Sequence, residues 1–214
     1  RPVGDVPLDL VMTEPLACAA NAVELADVRL GDDVVVVGAG FMGNLVQKLV
    51  ELRGPRQLIV ADTREDALER AKMLGATRTV DVTHEDLPAV VRELTEGRGA
   101  DMSFEATGVQ PGLDALGQVT RMSGTVAIVG YHQGPPRTID LAHWNWMAFR
   151  IANAHFREVA TILHGMRTGM RLLTSGRIRL DDLVTHRYPL DAIVEAFHAA
   201  IDKPPGFVKA TVIP

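Results

Sequence analysis

Short apolar runs rich in Val and Ile alternate along this chain with longer stretches whose apolar positions recur at helical spacing. The first pattern marks buried strands and the second amphipathic helices. The spacing predicts a helix from Thr13 to about Asp27, with Thr13 as N-cap and Pro15 in the first turn, where its missing N–H costs nothing. Strand Asp33–Val37, helix Phe41–Leu52 and strand Gln57–Ala61 follow. Helix Arg64–Leu74 carries acids in its first turn and stops at Gly75. Strand Arg78–Val82, helix Glu85–Thr95, strand Asp101–Glu105, helix Pro111–Met122 and strand Thr125–Gly130 continue the rhythm. Such alternation predicts an α/β protein, a doubly wound parallel sheet with helices on both faces.

Beyond Gly130 the pattern loosens. Gln133–Arg137, with Gly and two prolines, is a turn, and Thr138–Leu141 is expected as a short edge strand. His143–Phe149 reads as a short helix that puts Trp144 and Trp146 at an interface. Arg150–Ala154 is a sixth strand, and Glu158–Ser175 is a long amphipathic helix ending near Gly176. The tail departs from the βα rhythm. It runs through strand Leu183–Tyr188, helix Leu190–Ile201 capped by Asp191, a turn at Lys203-Pro204-Pro205-Gly206, and strand Phe207–Ile213. This piece reads as a fragment of a second structural unit.

The densest chemical signal sits where the first strand meets the second helix. Asp33-Val34-Val35-Val36-Val37 runs into Gly38-Ala39-Gly40-Phe41-Met42-Gly43, a G-x-G-x-x-G loop, and Asp62 follows nineteen residues after Gly43 at the end of the next apolar run. Strand, glycine loop, helix and distant acid together form a dinucleotide fingerprint. Gly38 permits the tight turn, Gly40 lets the backbone approach a pyrophosphate, and Gly43 lets helix and strand pack closely. The helix N-terminus offers unpaired N–H groups and partial positive charge to the phosphates. Asp62 accepts from ribose hydroxyls, and its charge repels a 2′-phosphate, so NAD is favoured over NADP. Arg64, two residues on, either tolerates a phosphate, stacks on adenine or faces solvent.

Composition narrows the classes. The chain has 214 residues, 47% hydrophobic and 23% charged, as expected of a globular protein with one good core and room for part of another. A net charge of −5 argues against a nucleic-acid surface. The single cysteine, Cys18, excludes an intrachain disulfide and fits a reducing compartment. No run is long and apolar enough to span a membrane and no leader peptide is evident, so the expected location is the cytoplasm. The first residue is Arg1 and not Met, which suggests a processed, excised or partial product.

Four stretches together resemble the medium-chain dehydrogenase/reductase family, of the zinc-dependent alcohol and polyol dehydrogenase type. They are Glu14-Pro15-Leu16-Ala17-Cys18-Ala19, the Gly38–Gly43 loop with Asp62, Phe104-Glu105-Ala106-Thr107-Gly108, and Gly206-Phe207-Val208-Lys209. Their order and spacing match the family over essentially the whole length. The resemblance implies a Rossmann NAD-binding domain over residues 26–165. Residues 1–25 would be a linking helix and remnant of a GroES-like catalytic domain, and 166–214 a connecting helix and return segment to it. By the resemblance, most of that catalytic domain is expected to lie outside these residues, with its Cys and His zinc ligands, its proton relay and its four-cysteine lobe; one cysteine cannot build such a site.

The resemblance also assigns residues. It places Gly38, Gly40, Phe41, Met42, Gly43, Asp62 and Arg64 against the adenosine and pyrophosphate. Ala106 and Thr107 follow the fourth strand beside the cofactor. Val129, Gly130 and Tyr131 offer backbone groups to the carboxamide, and Asn153, Ala154 and His155 close over the nicotinamide. Lys209 stands near the pyrophosphate or is a plain strand lysine. Glu14 would lie at the catalytic zinc, but only with ligands from the missing domain; alone it is a first-turn acid of its helix. The family acts on small-molecule alcohols with Zn and NAD and forms homodimers or homotetramers. The chain alone is expected to bind NAD, to hold no zinc and to turn over poorly.

The seven histidines show no metal-ligand spacing. His155 is either a cofactor contact or a hydrogen-bonded loop residue, and His186 is structural. Cys18 shares a helix face with Glu14, either near the metal region or simply packed. Two rival readings stand beside the dehydrogenase. One is a non-catalytic dinucleotide module, a redox sensor or partner subunit. The other is an S-adenosylmethionine methyltransferase, whose glycine loop usually lacks the equivalent of Gly43.

Overall fold

The computed structural model describes residues 4–213; residues 1–3, at the head of the expected 1–25 segment, lie outside them, as does Pro214. Eight helices are α1 (Thr13–Ala26), α2 (Phe41–Glu51), α3 (Glu65–Met73), α4 (Leu87–Leu94), α5 (Gln110–Val119), α6 (Leu141–Trp146), α7 (Val159–Thr174) and α8 (Ile193–Asp202). Eight strands are β1 (Asp33–Val37), β2 (Gln57–Asp62), β3 (Arg78–Asp81), β4 (Ala100–Glu105), β5 (Thr120–Ile128), β6 (Arg150–Asn153), β7 (His186–Pro189) and β8 (Ala210–Ile213). Strands β1 to β6 form one parallel sheet in the order β3-β2-β1-β4-β5-β6. This is the order of a doubly wound Rossmann sheet, which reverses direction between β1 and β4.

Period-two alternation builds the core on both faces. In β1, Val34 and Val36 join one apolar cluster while Val35 and Val37 join the other. Leu58 and Val60 of β2 side with the first, Ile59 and Ala61 with the second. Helices α1, α2, α3 and α7 supply small and branched side chains to the first face; α4, α5 and Trp144 of α6 cover the second. Because both faces are covered, β1 is buried at every position, which is why Val34–Val37 reads as an unbroken apolar run after Asp33.

Local chemistry moved several boundaries. Thr13 is the first helical residue and not the cap; Met12 occupies that position and no side chain caps α1. The α5 helix ends at Val119, because Thr120 already pairs with Ala100 and a register shift follows before Met102 and Thr125 pair. Thr138–Leu141 is not a strand. The Gln110 side-chain amide takes the backbone groups of Thr138, donating to its oxygen at 2.8 Å and accepting from its nitrogen at 2.9 Å. The Asp140 carboxylate then caps α6 by accepting from His143 N–H, so the helix starts at Leu141. Among the described residues the edges of the large sheet are therefore β3 and β6. Trp144 is buried against Phe149, while Trp146 is 77% exposed.

The tail folds as a small separate sheet of β7 and β8, paired in parallel. Leu183 and Val184 do not extend β7; they close a turn onto Leu180 O, and Leu183 drops into the core of the first face. Asp191 lies in a short 3-10 turn, and α8 is capped by Ala192 instead. Phe207 likewise belongs to a turn, with its N–H on Pro204 O, and the final strand begins only at Ala210.

Candidate functional site

The carboxyl ends of β1, β2, β3 and β4 open into a cleft of about 650 Å³. Its floor is the glycine loop. Gly38 sits at φ +101°, in the left-handed region, and donates its N–H to Ala61 O at 2.7 Å, so the turn is tied to β2. Gly43 in the first turn of α2 passes so close to that turn that a Cβ would lie 1.8 Å from Gly38 O. No other residue type fits there. Gly40 is the N-cap of α2 and has no side chain over the helix end, which leaves the first N–H groups facing outward.

Asp62 does more than the sequence predicts. It ends β2, its side chain 11% exposed, and its Oδ2 accepts from Ala39 N–H of the glycine loop at 2.7 Å. Its Oδ1 accepts from the amides of Thr63 and Arg64 and from Arg64 Nε at 3.3 Å. Oδ2 thus has one partner and keeps a lone pair for a hydroxyl donor. The same carboxylate shapes the loop and faces the cleft.

Of the expected site residues, Gly38, Gly40, Asp62, Arg64, Ala106 and Thr107 line this cleft. Ala106 N–H bonds to Val37 O at 2.8 Å, which holds the β4 loop beside the β1 turn. Phe41 and Met42 start α2, and Lys209 Nζ stands 5.1 Å from the centre of the Phe41 ring. That contact brings a cation from the tail to the helix end. Val129, Gly130, Tyr131, Asn153, Ala154 and His155 form a separate group at the carboxyl ends of β5 and β6. His155 Nε2 is 3.1 Å from Gly130 O, and its ring is 5.7 Å from that of Tyr131. The amides of Val129 and Gly130 both donate to Glu105 O at 2.8 Å, so they are not free for a ligand.

Glu14 is exposed in the first turn of α1, and its Oε1 accepts from Cys18 Sγ at 3.3 Å. Burial, followed by that hydrogen bond and the Glu14 charge, pushes the Cys18 thiol up to about 11. Among the described residues no three His, Cys, Asp or Glu side chains converge to hold a metal. A zinc centre at Glu14 would need ligands beyond them.

Several lining residues carry no motif of their own: Thr63, Val82, Asp86, Pro88, Val109 and Lys203. Most follow β3 or β4, and the rule that ligands bind at the carboxyl ends of the strands would have pointed to them. Lys203 has no such signal. It arrives from the tail because the Gly206 amide bonds to Asp66 Oδ2 at 3.0 Å and Arg70 reaches Gly206 O at 3.4 Å, docking that turn on α3. Glu105, wholly buried, stands out in the sequence only as part of a motif.

Known proteins share this fold. Residues 41–169, well over half of the chain, match the family described as zinc-binding dehydrogenase. The chain is 31% identical to the L-arabinitol 4-dehydrogenase of Aureobasidium melanogenum over 94% of its length and 54% of the relative's. It is 30% identical to the L-threonine 3-dehydrogenase of Ruegeria pomeroyi, covering 91% of this chain and 56% of that one. The crystal structure of 2R,3R-butanediol dehydrogenase from Bacillus subtilis superposes with a TM-score of 0.82 at 27% identity, over 98% of this chain and 60% of the other. The chain thus spans about half the length of the curated relatives it matches. Among the described residues no helix is long and apolar enough to cross a membrane. Strand order, glycine turn and a family match across most of the sheet agree, and the chain belongs to the zinc-binding dehydrogenases.

Proposed function

We propose that this chain is the cofactor-binding portion of an NAD-dependent dehydrogenase that oxidises an alcohol or polyol. The observation that carries the reading is the tie between Asp62 and the glycine loop: one carboxylate fixes the Ala39 amide and still presents a lone pair to the cleft. The missing Cβ atoms at Gly38 and Gly43 and the uncapped α2 terminus support a pyrophosphate at that point. When bound, NAD supplies the hydride acceptor at its nicotinamide ring. The chain's own residues bind and orient it. Asp62 takes the adenosine ribose, and Val109, Pro88 and Ala106 offer apolar walls to the adenine side. Lys209 adds positive charge beside α2, and Thr107, Tyr131 and His155 flank the nicotinamide side.

In this reading residues 26–165 form the dinucleotide domain, and residues 1–25 and 166–214 connect it to a catalytic part. Glu14 would join a zinc site completed by that part, and a small alcohol would be the substrate of the whole protein. Assembly as a homodimer or homotetramer through the sheet edge at β6, in the cytoplasm, belongs to the same proposal. A second reading is a dinucleotide module without catalysis, which the same cleft would serve equally well.

Titration of the chain with NADH, followed by nicotinamide fluorescence, tests the proposal. Saturable binding supports it. Binding of S-adenosylhomocysteine with none of NADH would overturn both nicotinamide readings. Zinc content and an alcohol panel on a longer protein separate enzyme from module.

A further inference from the structure

Glu105 is 0% exposed and sits at the last position of β4, yet among the described residues it forms no ion pair with an arginine or lysine. A buried carboxylate in that position needs donors on both oxygens. Oε1 accepts from the amides of Thr107 at 2.6 Å and Gly108 at 2.7 Å, and from the Thr107 hydroxyl. These bonds curl the loop after β4 around the carboxylate. Oε2 lies 2.9 Å from His132 Nε2, in the loop after β5. The two loops therefore share one carboxylate. They also touch directly, for a Cβ on Gly130 would lie 2.4 Å from Gly108 N.

Arg137 sets the state of that histidine. Its Nε–H donates to His132 Nδ1 at 3.3 Å, so Nδ1 is the acceptor and Nε2 carries the proton given to Glu105. A second arm of the same guanidinium donates to Gly108 O at 3.0 Å and to Gln133 O at 3.1 Å. Arg137 thus grips both loops from outside while Glu105 grips them from inside, and His132 joins the two. The loops meet where the second half of a doubly wound sheet would receive its half of a dinucleotide; the adenosine half would lie across β1, in a cleft that Thr107 lines but Glu105, His132 and Arg137 do not.

We propose that His132, held in its Nε2–H form by Arg137, is a positioning residue for the nicotinamide half of the cofactor, and that the Glu105–His132–Arg137 chain sets the gap between the walls formed by Thr107 and Tyr131. This rests on the dinucleotide reading above. Neither His132 nor Arg137 touches the adenosine cleft. The network therefore discriminates between two ligands that differ only in the nicotinamide, NADH and ADP-ribose.

The test measures both affinities on the 214-residue chain. His132→Leu removes donor and acceptor, and NADH binding should weaken roughly tenfold, the factor carried by about 1.4 kcal/mol of lost hydrogen bonding. ADP-ribose binding should hold within about twofold, a difference well under one hydrogen bond. His132→Gln offers an amide N–H to Glu105 and an oxygen to Arg137, and should restore NADH affinity. Arg137→Met, on a loop outside the sheet, should shift NADH in the same sense and serves if His132→Leu does not fold. Equal weakening of both ligands, or unchanged NADH affinity in His132→Leu or Arg137→Met, would overturn the proposal. A wild-type chain that binds neither ligand refutes the dinucleotide reading itself, and the positioning role with it.

Discussion

Two carboxylates sit at opposite ends of the same sheet, both wholly buried and solved by different means. Asp33 opens β1 at the amino edge and meets Arg56 at 2.6 Å and Arg98 at 2.9 Å. Its own amide bonds to Asp101, which pairs with Arg121 at 2.6 Å. Glu105 closes β4 at the carboxyl edge and meets backbone amides and a histidine. Arginines neutralise a charge and leave the backbone as it was. Amides leave the charge in place and stabilise it by bending the backbone round it. One end of the sheet is thereby a charge clamp and the other a loop mould, so the ends should fail differently when altered.

The largest effect should come from the loop end. Gly43→Ala puts a Cβ against Gly38 O and should cost about 3 kcal/mol or more on the overpacking scale, with NADH binding abolished; denaturant melts and titration measure both. Glu105→Gln should cost roughly 2–3 kcal/mol, because a wholly buried oxygen serving several donors loses its charge, and NADH affinity should fall with it. Asp33→Asn should cost less, about 2 kcal/mol, since Arg56 and Arg98 are 41% and 50% exposed and turn to water once released. Its NADH affinity should be unchanged, and a fall would erase the contrast between the two ends. Asp62→Ser should weaken NAD about tenfold and narrow the gap to NADP, a change near 1.4 kcal/mol. If the wild type already binds NADP as well as NAD, Asp62 is not the selector.

The smallest effect is one of pH. Burial raises the Asp101 carboxyl, but the Asp33 amide and Arg121 outweigh it and hold the group below its ordinary value. A lowered folded pKa stabilises the fold above the ordinary range and loses that contribution as pH falls through the folded value. The stability gap between wild type and Asp101→Asn should therefore be full at neutral pH and shrink below about pH 4. A gap independent of pH would show that Asp101 acts by packing.

Much of this was legible because the signals are local. The alternation in Val34–Val37 and Leu58–Ala61 fixes strands with two buried faces, and Gly38, Gly43 and Asp62 carry their chemistry in their spacing. What escaped depends on distant partners. Nothing near Thr138 announces that Gln110, 28 residues earlier, will occupy its backbone. Nothing in Lys203-Pro204-Pro205-Gly206 announces Asp66 and Arg70 on α3. Glu105 is visible in the sequence as part of a motif, but its burial and its donors appear only once its loop is closed around it. The Glu14–Cys18 pair was foreseeable from helical spacing, whereas the metal ligands expected beside it are not among the described residues.

The contact between α1 and α7 has a mechanical consequence. These are the helices by which the chain enters and leaves the sheet, and they lie against each other through residues too small to allow a gap. A Cβ on Gly165 would lie 2.6 Å from Ala17 O, and one on Gly169 would lie 2.8 Å from Leu16 Cγ. The Asn21 amide bolts the pair by donating to Thr161 O at 2.9 Å. The two helices therefore bear on the sheet as one strut, beside the second support that the tail finds on α3 through Gly206. Two segments join these helices to the sheet, 27–32 on the way in, where Asp27 sits at φ +60°, and 154–158 on the way out. The second contains His155, whose contacts with Gly130 O at 3.1 Å and the Tyr131 ring at 5.7 Å would carry a displacement of α7 to the wall proposed for the nicotinamide side.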